Sequence, residues 1–190
     1  MRNQYRVTKY DPALRDSSGA FSSDEWTSRS DIGGIFGGVS LSESTYLAVE
    51  NSYLQAVAEF LQESGIDTLQ LRGLERGAAA LPEFITPLAE LNTAECVDFA
   101  RLALREDVWG KLVSPGRAYI HFGYDYYMYM GLPVKCPRAI STARERGLFV
   151  ERFRSPYLRQ PFKKSAQSGR PTASAGLSRC ASWTEPCSQT

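Results

Sequence analysis

The chain has 190 residues, 43% of them apolar, enough for one packed core with extra segments or at most two very small domains. Nowhere does an apolar run reach the roughly 18 residues of a spanning helix, which excludes a transmembrane segment of that kind from the reading. The net charge of +1 hides an asymmetry: residues 1–158 carry 17 Lys and Arg against 20 Asp and Glu, and residues 159–190 carry five against one. A mildly acidic body is not that of a dedicated nucleic-acid binder, which needs a basic face to meet phosphates.

The start, MRNQYRVTKYDP, is polar within a few residues and lacks the apolar core of a signal peptide, so the cytoplasm is the expected compartment. Cysteines stand at 96, 136, 180 and 187, without any CxxC pair, and there is one histidine. That pattern does not build a zinc site, and without a secretion signal the thiols are expected reduced. No metal and no cofactor are expected.

Tyr5 to Tyr10 is rich in strand formers and predicts a first strand, ended by Asp11-Pro12. A loop follows, and Glu25 to Ile32 predicts a short second strand pairing back on the first. Gly33 to Gly38 holds four glycines in six residues. With no lysine after it and no GKS or GKT, it is expected to be a flexible connector rather than a phosphate loop.

Ser40 and Glu43 fit the S-x-x-E capping box of a helix start. Tyr46, Val49, Tyr53, Val57 and Phe60 then recur at helical spacing, and Gly65 is placed to end the helix left-handed. This aromatic stripe is expected to be core rather than a ligand box. Asp67 to Glu75 alternates through Leu69 and Leu71 and predicts a strand with one buried face. Pro82 and Pro87 limit the next stretch to loop or a short helical turn.

Asn92 and Glu95 form a second capping pair. Val97, Ala100, Leu104 and Val108, with Leu102, Trp109 and Leu112 beside them, predict a helix from 93 to 109, with Asp98 and Arg101 close enough to pair. Pro137 suits the first position of a short helix that Gly147 closes. Leu148 to Phe153 predicts a last strand.

Between these lies Arg117 to Gly131, RAYIHFGYDYYMYMG, with five of the ten tyrosines, the histidine and two of the three methionines. Read as a strand, it puts Ala118, Ile120, Phe122, Tyr124, Tyr126, Met128 and Met130 on one face. Tyr119, His121, Gly123, Asp125, Tyr127 and Tyr129 take the other. The span exceeds a usual strand, so a bend or a tight hairpin at Gly123-Tyr124-Asp125 is expected; a hairpin would reset the faces beyond Asp125 and expose Tyr124 at its tip.

Tyr124, Asp125, Tyr127 and Tyr129 are the candidate partner-binding residues, because tyrosine offers large rigid area with a polar tip. The bland alternative is that Tyr127 and Tyr129 are covered by the N-terminal segment or Trp26. An enzymatic alternative pairs His121 with Asp125 as acid and base beside a tyrosine donor, although no nucleophile stands at a recognisable spacing. From about Arg159 the texture turns serine-rich and aperiodic. Three readings of it stand: a disordered tail, an out-of-frame extension, or a functional basic tail.

The strings YRVTKYDPALRD, DEWTSRSDIG, GYDYYMYMG and GLFVERFRSPY resemble those of a group of uncharacterised small bacterial cytoplasmic proteins associated with immunity proteins of polymorphic toxin systems. The resemblance covers roughly residues 4–158. It implies a protein partner of the cognate-toxin kind and inhibition by occlusion, and it carries over no functional residue. The resulting expectation is a single α+β domain over 1–158. Its sheet, antiparallel or mixed, has four to six strands. Helices near 41–64 and 93–109 lie on one face, with a small helix near 138–146. The tail of 159–190 is expected to be low-complexity and disordered. The function expected is a non-enzymatic protein-binding module, most concretely an immunity-type toxin inhibitor. The alternatives are the small enzyme and a regulatory binding protein.

Overall fold

A computed structural model describes residues 3–17, 21, 24–77 and 80–159. The three readings of the tail concern residues that lie almost wholly outside these. The architecture is α+β. A seven-stranded sheet runs β1 (Asn3–Thr8), β4 (Thr68–Arg76), β5 (Glu90–Asn92), β6 (Val108–Ser114), β7 (Ala118–Phe122), β8 (Met128–Leu132) and β9 (Phe149–Arg152). Across the sheet the order is β5-β4-β6-β7-β8-β1-β9, with every neighbouring pair antiparallel. The helices are α1 (Glu43–Ser64), α2 (Thr93–Leu104) and α3 (Pro137–Glu145). A separate two-stranded ribbon joins β2 (Ile35–Phe36) to β3 (Val39–Ser40).

The pleat sorts the sheet into two faces. One register row runs Leu71, Leu112, Ile120, Met130 and Tyr5, all buried. The helices lie on this side: the Phe99 ring of α2 meets Phe122 at 6.0 Å, and Phe60 of α1 meets Tyr5 at 5.9 Å. The next row, on the opposite face, runs Arg72, Lys111, His121, Tyr129, Arg6 and Glu151. Gly110 lets α2 settle close to the sheet, since a Cβ there would stand 2.9 Å from Leu71 and 3.0 Å from Phe99.

α1 starts two residues later than the sequence suggests. Ser42, not Ser40, is the cap, its hydroxyl accepting from the Thr45 amide at 3.1 Å, while Ser40 belongs to β3. Gly65 ends the helix at φ 65° as expected. α2 has the expected reciprocal cap between Asn92 and Glu95, and Asp98 pairs with Arg101 at 2.6 Å.

α2 stops at Leu104, however, and Val108, Trp109 and Leu112 belong to β6 rather than to its face. The helix closes on Glu106 at φ 63°, with the Asp107 amide bonded to the Leu102 carbonyl and the Glu106 amide to that of Ala103. This is a Schellman ending without glycine, and so without a sequence signal. β5 was likewise not expected.

Glu25 to Ile32 is not a strand. Asp31 accepts from the amides of Thr27 and Ser28 at 2.8 and 3.0 Å, and the segment closes into a 3-10 turn over Arg29–Asp31. A local carboxylate cap of this kind competes directly with ladder pairing. The glycine-rich connector carries the β2–β3 hairpin, whose two turn residues, Gly37 and Gly38, have positive φ.

Candidate functional site

β7 and β8 are joined by the expected hairpin, and its turn is unusual. Tyr124 and Tyr127 close it through a 3.1 Å amide-to-carbonyl bond, and the Gly123 amide donates to the Tyr127 carbonyl at 2.7 Å. The two central residues, Asp125 and Tyr126, have φ of 55° and 62°. Positive φ at both positions is the type I′ signature, which normally calls for Asn-Gly or Gly-Gly. An aromatic residue held left-handed is strained, and such strain persists only where the surroundings over-determine it.

Those surroundings are a cage of aromatic rings beneath the turn. The Tyr126 ring is 4% exposed and meets Trp26 at 5.1 Å, Tyr53 at 5.5 Å and Tyr46 at 6.3 Å, all edge-on or nearly so. Its hydroxyl donates to the Tyr46 hydroxyl at 2.8 Å, and its carbonyl accepts from the Tyr53 hydroxyl at 2.6 Å. Tyr46 in turn donates to Glu50, which Arg105 grips through two nitrogens. Anchored from below by Tyr126, the turn holds Tyr124 in solvent at 77% exposure, with Asp125 exposed beside it.

The electrostatics around the tip are acidic. Partial burial and then the neighbouring charge of Asp31 raise the Asp125 carboxyl above its usual range. Tyr10 is held protonated, by burial first and by Asp125 second. Lys9 lies beneath this rim with its ammonium 4.1 Å from the Trp26 ring and 4.2 Å from Tyr10, paired to Glu25 at 2.8 Å. Burial lowers its pKa, and the bond to Glu25 opposes that.

The four residues singled out from the sequence therefore separate. Tyr124 and Asp125 are exposed. Tyr127 is half-buried, its ring 5.6 Å from Tyr10 and 5.7 Å from the Arg6 guanidinium. Tyr129 is 8% exposed, packed against Phe153 at 5.9 Å and Tyr157 at 5.8 Å, so it offers no surface to a partner. The cover over Tyr129 comes from the segment after β9, a source the strand pattern could not indicate.

That segment also decides the fate of His121. The imidazole Nδ1 hydrogen-bonds Ser155 Oγ at 2.8 Å, and the ring stacks on Tyr119 at 4.4 Å. Asp125 is not its partner. Burial, and secondarily Lys111, push the His121 pKa down to about 3, so the ring is neutral at ordinary pH. An imidazole that is 3% exposed and pushed to that pKa is poorly placed to act as base or acid on a solvent-borne substrate.

Among the described residues no group of three His, Cys, Asp or Glu side chains is arranged to hold a metal ion, and no helix is long and apolar enough to cross a membrane. Sequence reasoning missed Tyr126, Trp26, Glu50 and Arg105 as the support of the turn. The available signal was the dense spacing of tyrosines, which suggested core without saying what the core holds in place. Compared with known proteins, the chain matches no family model, no curated protein and no solved structure.

Proposed function

We propose that the chain is a non-enzymatic protein-binding module, most concretely an immunity-type inhibitor that occludes a toxin domain, with Tyr124 and Asp125 as its contact point. The observation that carries this reading is the exposure of Tyr124, 77%, on a turn with two left-handed non-glycine residues, of which Tyr126 is clamped from below. Strain of this kind gathers at functional sites. A tyrosine already fixed in place loses little entropy on docking and brings a large contact area.

Asp125 with Asp31 nearby favours a partner presenting a cation, which would relieve their mutual repulsion. The inhibitor works in this reading by covering the partner's substrate entrance, with no chemistry of its own.

The test is co-expression with the toxic product of a neighbouring gene. Rescue by the unaltered chain is expected, and its loss in the double variant Tyr124→Ala, Asp125→Lys at an unchanged melting temperature. Absence of rescue by the unaltered chain, or full rescue by the double variant, overturns the reading.

A further inference from the structure

A second feature lies away from the turn, where α3 crosses the helix-covered face beside the edge strand β9. An open groove of about 650 Å³ runs there, with Tyr5 on its floor and Lys135, Arg144 and Arg152 around it. The register sets Arg152 directly opposite Tyr5. Tyr5 is 4% exposed as a residue, no described residue accepts from its hydroxyl, and that oxygen keeps contact with solvent in the groove. Burial and then the Cys136 thiol raise its pKa, so at neutral pH it carries a proton to donate.

A hydroxyl that opens to a groove without a protein acceptor is available to hydrogen-bond a ligand there. The cations around it are similarly placed. Lys135 and Arg152 form no ion pair among the described residues, whereas Arg144 donates to the Val150 carbonyl at 3.0 Å. Glu145, the carboxylate on the rim, is engaged by Ser141 at 2.9 Å. The amides that start α3 are not open to a ligand: Glu63 of α1 already takes those of Arg138 and Ala139 at 3.3 and 2.7 Å. Ile140 and Val150 give the groove an apolar wall.

We propose that this groove binds a small organic anion, its carboxylate or phosphate held between Lys135 and Arg152 and hydrogen-bonded by Tyr5, its apolar part against Ile140 and Val150. The site is independent of the Tyr124 turn. It combines an apolar wall with a few convergent polar groups, the usual make-up of small-ligand sites.

The test is an NMR titration of the full chain with phenyl phosphate and with benzoate, and with benzyl alcohol as the uncharged control. Saturable shifts of the Tyr5, Ile140 and Val150 amides are expected with at least one anion and not with the alcohol. The better anion tells phosphate from carboxylate. Tyr5→Phe, which removes a hydroxyl with no bond to lose, should leave the melting temperature unchanged and weaken that anion about tenfold, as should Arg152→Gln. No saturable shift with either anion, equal shifts with the alcohol, or undiminished affinity in both variants overturns the proposal.

Discussion

The Tyr126 hydroxyl donates to the Tyr46 hydroxyl at 2.8 Å and so ties the strained turn to a buried carboxylate, because Tyr46 itself donates to Glu50 at 3.0 Å. Glu50 is 1% exposed, and its charge is held by Arg105 at 2.6 and 2.8 Å. The hydrogen bond to Glu50, ahead of its charge, raises the Arg105 pKa. The network spans the β7–β8 turn, the first half of α1 and the end of α2. It ties the turn that presents Tyr124 to a carboxylate that is itself buried.

Removing one partner of such a pair is costly because it strands the other. Arg105→Ala should lower stability by about 3–5 kcal/mol, read from urea unfolding. Adding Glu50→Gln should recover a large part of that loss, since the stranded charge is then gone. Arg105→Lys should recover little, because an ammonium cannot reproduce the two-nitrogen grip. Equal stabilities for Arg105→Ala with and without Glu50→Gln would show that the pair carries no such weight.

The turn makes a separate prediction. Asp125→Gly and Asp125→Ala both remove the carboxylate, but only glycine adopts φ near 55° without strain. The glycine variant should be the more stable by about 1 kcal/mol, after allowing for its freer unfolded chain. Both should lose partner binding to the same degree if Asp125 acts through its charge. A glycine variant less stable than the alanine one would mean that the backbone is not left-handed in solution.

The sequence carried the helices, the hairpin and its exposed tip in signals that local chemistry writes directly: the Asn92–Glu95 capping pair, the glycine at 65, proline at 137, and the alternation from Ala118 to Met130. Failures arose where a nonlocal or unusual residue decided the outcome. Glu106 ends α2 in a conformation that glycine normally marks, so β6 read as more helix. Asp31 folds its own segment inward and removes a strand that propensity favoured. Period two placed Tyr127 and Tyr129 on the face away from the helices, and there the segment from Phe153 to Tyr157 covers Tyr129. No pattern within a strand reports what a distant loop lays over it.

The two described cysteines should be chemically silent in the folded protein. Cys96 and Cys136 are both buried, and burial pushes their thiols up to about 12 and about 11. Thiolate is the reactive form, so iodoacetamide at pH 8 should leave both unmodified under native conditions and label both in denaturant. Peptide mass spectrometry on a chain with Cys180 and Cys187 replaced by alanine reads this directly. Native labelling at Cys136 would place that thiol in solvent and contradict its burial at the start of α3, against Phe60 of α1.

His121 makes stability depend on pH with a definite sign. Its folded pKa of about 3 lies below the unfolded value of 6.5, so between these limits the unfolded chain binds the extra proton. The stabilisation is therefore complete above about pH 6.5 and is lost as pH falls toward 3. The groups around the ring fit this: Lys111 from β6 opposes a second positive charge, while Tyr119, Ser155 and Tyr157 are uncharged. Glu151, lowered by its arginine neighbours despite burial, adds loss of the same sign at lower pH, and Asp125, raised, works in the opposite direction. From pH 7 to pH 5 the His121 contribution amounts to a loss of about 2 kcal/mol. Urea unfolding at the two pH values should show it, and His121→Gln should flatten the difference. An equal drop in the His121→Gln variant would assign the acid sensitivity to the carboxylates and leave the buried imidazole without a part in it.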